Sequence, residues 1–281
     1  MECSESSSRK VVVRKELRCF KFYLVPSFFF NKQRYPTCMV VVYTGDYDCT
    51  VEKIVDTVNK RFTIQMDATR LNFVYLKTRP FLLDKFYPIF TLLGQSLGSM
   101  VVGFEAIFKF VPDIYFETTG YAFTYPIFHY LANIPVCCYV HYPTISVDML
   151  KNVSQRNFAF NNRYLISRSR ILTEAKLYYY KLFSKLYSLC GRCSVCIMVN
   201  SSWTLGHINN LWSVSYRTNV VFPPCDVETF SKIVNPNRDD CFLIGSVGQF
   251  RPEKNHQLQI KSFNLLLEKL VSPLTINLFA F

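Results

Sequence analysis

The densest set of groups able to do chemistry lies in Gly245-Ser246-Val247-Gly248-Gln249-Phe250-Arg251-Pro252-Glu253-Lys254-Asn255-His256. An apolar run over 243–247 leads into a turn at Gly248, after which Arg251 and Lys254 stand three residues apart where a helix begins. Free amides and the helix dipole favour an anion at such a start, and two cations at that spacing can straddle a diphosphate. A solvated basic helix start gives the same pattern, and spacing alone does not choose. The second feature is Tyr139-Val140-His141-Tyr142-Pro143-Thr144, which reads as a strand end with His141 at the carboxyl edge of a sheet. Ligands of open α/β sheets bind at that edge. A structural histidine is the plainer alternative, and Pro143 is explained by a stiff turn alone.

Cys190-x-x-Cys193-x-x-Cys196 has the close spacing of zinc thiolates, but the second ligand pair is missing at the usual separation. The reading is of buried structural thiols and no metal. Gly94-Gln95-Ser96-Leu97-Gly98 has the literal form of a nucleophile elbow yet sits inside an apolar, helical stretch, so Ser-His-Asp hydrolysis is not supported. No RNP-type, zinc-finger or helix-turn-helix pattern accompanies the basic residues, so nucleic acid is not expected as a partner.

Short apolar, β-branched runs at 39–43, 113–116, 136–140, 195–199, 219–222 and 243–247 must position these groups. Helical spacing occupies 94–110, 171–190, 203–211 and 258–270. Buried strands alternating with helices imply a parallel α/β sheet. Over 171–190, Ala175, Tyr179, Leu182, Phe183, Leu186 and Leu189 are placed on one face and Glu174, Lys181, Ser184 and Lys185 on the other. That suits core packing, or an interfacial helix with Tyr178 to Tyr180 at headgroup depth and lysines toward anionic lipid.

The 281 residues are 50 % hydrophobic and 19 % charged, which allows a sizeable core and excludes global disorder. A formal charge of +12 suits an anionic partner. Nine glycines are few against the roughly 20 that average usage would give. Eleven cysteines with no leader-like start make the reducing cytosol the default. No apolar stretch free of charged and polar residues reaches the ~18–20 residues of a spanning helix, 92–111 coming nearest. The Ser-rich, charged segment 1–15 is expected to be a disordered tail. Pro223-Pro224 stops a strand, and a new strand and helix follow.

Seven stretches in order then carry a resemblance. They are Val41-Val42-Tyr43-Thr44-Gly45-Asp46, the run 91–99, Gly120-Tyr121-Ala122-Phe123-Thr124, Val140-His141-Tyr142-Pro143-Thr144-Ile145-Ser146, Val199-Asn200-Ser201-Ser202-Trp203-Thr204, Phe222-Pro223-Pro224-Cys225-Asp226 and the run 246–256. From about Tyr35 onward the sequence resembles the GDP-mannose-dependent α-1,2-mannosyltransferases that extend the dolichol-diphosphate-linked oligosaccharide. These are retaining glycosyltransferases of the GT-B architecture, with two Rossmann-like domains facing across a cleft.

The resemblance implies an acceptor-side domain over 16–225 and the start of a donor-binding domain, truncated, over 226–281. It implies that Arg251 and Lys254 bind the donor diphosphate with Gly248, Glu253 and Asn255 beside them. His141 would be the catalytic residue facing the transferring sugar, and Ser202 would lie on a cleft loop. No cofactor and no catalytic metal are implied. Implied partners are GDP-mannose, the dolichol-linked acceptor and a membrane surface, on the cytosolic face of the endoplasmic reticulum. The alternative is an inactive fragment that keeps acceptor or membrane binding only. Two departures stand out: 22–32 has no glycine where the family has a glycine-rich loop, and the family's pair of glutamates spaced by seven residues does not follow.

Overall fold

The computed structural model describes residues 10–14, 38–45, 47, 50–62, 68–155, 170–223, 231–232, 241–248, 254–269 and 275–280. Seven strands form one sheet: β1 (Lys10–Arg14), β2 (Met39–Thr44), β3 (Leu71–Tyr75), β4 (Ile114–Glu117), β5 (Val136–Val140), β6 (Ser194–Val199) and β7 (Thr218–Val220). Their order is β3-β2-β1-β4-β5-β6-β7, with every neighbouring pair parallel. This is the doubly wound, Rossmann-like arrangement, with its switch point between β1 and β4. Helices α1 (Val51–Phe62), α2 (Thr91–Lys109), α3 (Val147–Ser154), α4 (Arg170–Gly191) and α5 (Ser202–Trp212) alternate with the strands. A separate parallel pair, β8 (Cys241–Ser246) and β9 (Thr275–Ala280), is joined through α6 (His256–Lys269).

The tail expected over 1–15 needs correction. Lys10–Arg14 is β1, the strand at the switch point, paired with β2 on one side and β4 on the other. Its three valines are flanked by charges, which reads as a tail in isolation; pairing on both sides makes the local signal irrelevant. The glycine-free stretch 22–32 lies outside the described residues.

The α4 face also differs. The buried side holds Thr173, Tyr180, Phe183, Tyr187 and Cys190, while Leu182, Leu186 and Leu189 are exposed. Aromatic stacking decides this orientation, because Phe183 stacks on Phe123 at 5.5 Å and Tyr187 meets Trp212 edge-on at 5.1 Å. Burying those rings outweighs burying the leucines.

Helix α2 contains the elbow-like motif wholly within it, as the spacing implied. Its glycines serve close packing: a Cβ on Gly94 would stand 2.3 Å from the Tyr87 ring, and one on Gly98 only 2.1 Å from the Phe81 carbonyl. By length and composition α2 is the one helix among the described residues able to cross a membrane. Here Ser99, Val102 and Ala106 on one side of it are buried.

Glu105, on α2, fastens the turn that follows β3. It accepts hydrogen bonds from the amides of Lys77 and Thr78, both at 2.8 Å, and pairs with Lys109 at 2.7 Å. Burial acts to raise its pKa, but the bonds from Lys109, Thr78 and Lys77 prevail and hold the carboxyl down at about 2. A carboxyl depressed below its unfolded value contributes stability above that value, lost as pH falls through the folded one. Stability is therefore expected to drop between the ordinary carboxylate range and about pH 2. Glu105→Gln should cost about 1 kcal/mol near neutral pH and flatten that acid limb, as urea midpoints across the range will show.

Candidate functional site

A pocket of about 160 Å³ opens at the carboxyl edge of the sheet, beside the switch point. It is lined by Leu92, Gln95 and Ser96 of α2, by residues 119–123 after β4, and by Tyr142 and Thr144 after β5. Its floor is the loop Thr119-Gly120. Gly120 has φ +100, a conformation that side chains other than glycine rarely adopt.

The loop is held from beneath by Glu117, the last residue of β4, which is fully buried. Its carboxyl oxygens accept from the Thr119 amide at 2.8 Å, the Gly120 amide at 2.9 Å, the Tyr125 hydroxyl at 3.2 Å and the Thr119 hydroxyl. Burial, with Cys138 and Glu117 beside it, pushes the Tyr125 hydroxyl well above its usual range, which keeps it a donor. From the other side the Thr144 hydroxyl donates to the Gly120 carbonyl at 3.3 Å. These amides and hydroxyls spend their protons inside the fold, so they fix the shape of the pocket wall at the sheet edge.

His141 immediately follows β5 at this edge, as expected from sequence, with its ring edge-on to Tyr139 at 4.7 Å. It does not line the pocket; its neighbours Tyr142 and Thr144 do. Ser202 is the first residue of α5 and is exposed. The two regions are tied together, because the Thr204 hydroxyl donates to the His141 carbonyl at 3.4 Å and Tyr142 stacks on Trp203 at 5.2 Å. Ser201 caps α5 by accepting from the Thr204 amide.

In the other unit, Gly248 lies 3.7 Å, measured from an added Cβ, from the Lys254 side chain. Lys254 is exposed just before α6. Asn255 takes φ 48 and its side-chain oxygen accepts from the Leu258 amide, an N-cap role for this residue. Gln259 fixes the turn by donating to the Lys254 carbonyl at 2.9 Å and accepting from Ser246 at 2.7 Å. Arg251 and Glu253 lie outside the described residues.

Among the described residues no group of His, Cys, Asp or Glu could hold a metal ion. Burial pushes the Cys190 thiol up to about 12 and raises Cys193, while Cys196 faces Cys137 across β5 and β6. Cys190 and Cys193 are thus buried thiols held in the protonated form, whereas the half-buried Cys196 is pulled the other way by the hydrogen bond from the Cys137 thiol.

A family model described as "ALG11 mannosyltransferase N-terminus" matches residues 27–212. The chain belongs to this family. The ALG11 match contains His141, Ser202 and the whole pocket lining, whereas Gly248, Lys254 and Asn255 follow it. Proteins named GDP-Man:Man(3)GlcNAc(2)-PP-Dol alpha-1,2-mannosyltransferase are similar over most of the chain. The one from Mus musculus is 50% identical over 249 residues, covering 86% of this chain and 50% of that protein. The one from Dictyostelium discoideum is 44% identical over 244 residues, covering 85% and 48%. The chain thus spans about half the length of these ALG11-type relatives. Among solved structures, Anabaena Alr3699/HepE in complex with UDP and glucose gives a TM-score of 0.48 at 10% identity, covering 97% of this chain and 60% of that one.

Sequence reasoning did not single out Glu117, Thr119, Gly120 or Thr144. One signal was available: a glycine three residues beyond a strand-terminal glutamate, in a chain with only nine glycines, marks a loop with a special backbone.

Proposed function

We propose that this chain is the acceptor-side part of an α-1,2-mannosyltransferase that transfers mannose from GDP-mannose to the dolichol-diphosphate-linked oligosaccharide in protein N-glycosylation. The observation that carries the proposal is the 50% identity to a relative of that name over a region that includes the sheet-edge pocket and His141. In this reading the pocket receives polar groups of the acceptor on the Thr119 and Gly120 loop. His141 orients the transferring sugar from the acceptor side, and Ser202 borders the cleft.

The donor sits across that cleft on a second Rossmann-like domain, in the GT-B manner, with the chain up to 225, β1 included, as the first domain and 226–281 as the start of the second. Arg251 and Lys254, with Gly248, Glu253 and Asn255 around them, bind the diphosphate and offset the charge that develops on the GDP leaving group. No metal takes part. The protein works against the cytosolic face of the endoplasmic reticulum membrane, where the lipid-linked acceptor resides.

The test is mannosyl transfer by a chimera that joins this chain to the remaining half of the Mus musculus relative. Turnover is expected, and His141→Ala should lower it by about 100-fold through lost orientation.

A further inference from the structure

Two thiols meet across the sheet at the end away from the pocket. Cys137 is the second residue of β5 and Cys196 the third of β6, so both lie toward the amino side of the sheet, whereas the pocket opens at the carboxyl edge. The register sets Cys137 directly opposite Cys196, and partners in register project to the same face. A register shift creates this pairing. Val136 stands opposite Ser194 and Cys137 opposite Cys196, so Val195 is skipped. In an unbroken register Cys137 would face Val195, and Cys196 would face the fully buried Cys138.

Access and proton placement set this pair apart. Cys138, Cys190 and Cys193 are buried, whereas Cys137 and Cys196 are each partly open to solvent. The ladder between β6 and β7 starts only at Ile197 with Thr218, so among the described residues no β7 partner covers Cys196. The Cys137 thiol donates a hydrogen bond to the Cys196 sulfur. That bond draws Cys196 below the usual thiol range and, together with burial, raises Cys137 above it. One sulfur carries thiolate character and its neighbour keeps a proton, the arrangement of an attacking and a resolving cysteine. Cys196 thus acts with β5 and not with Cys190 and Cys193, its neighbours in sequence.

We infer that Cys137 and Cys196 are a modification site that closes to a reversible disulfide on reaction with hydrogen peroxide. The Cys196 thiolate attacks one peroxide oxygen, the O–O bond breaks, and hydroxide leaves and takes up the proton that Cys196 had released. Cys196 is then a sulfenic acid. The Cys137 sulfur gives up its proton, attacks the Cys196 sulfur and expels the sulfenic oxygen as water. In sum two thiols are oxidised to one disulfide and one peroxide is reduced to two waters. Neighbouring strands run about 4.8 Å apart, inside the roughly 4.4–6.8 Å that the Cα atoms of a disulfide span and near its short end, which suits a bond that is reduced again. The bond closes a loop that contains α3 and α4, and so stabilises the oxidised fold by restricting its unfolded chain. Neither cysteine lines the pocket, and the inference does not rest on the proposed function.

The test exposes the reduced 281-residue chain to hydrogen peroxide, alkylates the thiols that remain and maps the products by mass spectrometry. A peptide cross-linked through Cys137 and Cys196 is expected, cleaved again by dithiothreitol, with Cys196 oxidised about tenfold or more faster than Cys190 or Cys193. Cys137→Ser should halt the reaction at a sulfenic acid on Cys196, which dimedone traps, and Cys196→Ser should leave Cys137 unlabelled by dimedone. Two measurements on the unsubstituted chain keep the test independent of how serine packs in a strand. Phenylarsine oxide, which bridges adjacent thiols, should protect Cys137 and Cys196 together from alkylation. The oxidised chain should unfold at a higher urea midpoint, which dithiothreitol returns to its starting value. Peroxide-treated chain in which Cys137 and Cys196 both remain open to alkylation overturns the proposal, and so do cross-links that join Cys190 or Cys193 instead.

Discussion

Glu117→Ala is expected to lower stability by about 3–5 kcal/mol and to abolish ligand binding in the pocket. The size follows from the accounting of donors. Removing the carboxyl leaves the Thr119 and Gly120 amides and the Thr119 and Tyr125 hydroxyls without their acceptor, at a fully buried position. Each stranded donor costs about 1–3 kcal/mol, and the loop relieves part of the sum by moving. That movement is what empties the pocket of its shape, because φ +100 is open to a glycine without strain and the bonds to Glu117 and Thr144 are what hold Gly120 in place. Glu117→Gln keeps the volume and one acceptor oxygen, so it should cost about half as much. Urea midpoints at constant slope measure both. A loss below about 1 kcal/mol for Glu117→Ala would show that the loop is anchored elsewhere.

Arg251→Ala and Lys254→Ala should each weaken GDP affinity about 10- to 100-fold in the chimera with the relative's second half. A charge-assisted hydrogen bond to a diphosphate contributes about 1.5–3 kcal/mol, which converts to that range. The two losses are expected to be less than additive, since both cations act on one ligand. Lys254 is exposed beside Gly248, ahead of an Asn255-capped helix. Calorimetry with GDP decides the matter. Unchanged affinity in both variants would remove the pair from the donor site.

The strands and helices that carry strong local patterns were legible from sequence. Runs such as Val40-Val41-Val42 and Val136 to Val140 are continuous and apolar because a parallel strand is covered on both faces. Helix ends were legible to within three residues where a cap or apolar period marked them, as at α5 and α6. β1 was not, because three valines between charges signal nothing until β2 and β4 pair with them. The buried face of α4 was misassigned by about a third of a turn, since leucines and aromatics compete for the same interior and only the neighbouring rings decide. His141 was legible through its position at a strand end. Its companion pocket was not, because Glu117 acts through backbone amides and Gly120 through a dihedral angle, and the glutamate-to-glycine spacing of three residues marks only a loop, with nothing to say that a pocket lies on it.

The central claim is that this chain supplies the acceptor half of a mannosyltransferase. The most direct measurement incubates the chimera, and separately the 281-residue chain, with radiolabelled GDP-mannose and the diphosphate-linked Man(3)GlcNAc(2) lipid, then resolves the product by chromatography. The expected result is an α-1,2-linked mannose added by the chimera, depressed about 100-fold by His141→Ala, with little or no transfer by the chain on its own because no complete donor site is preorganised. A chimera that folds and binds GDP yet adds no mannose to that acceptor would contradict the account.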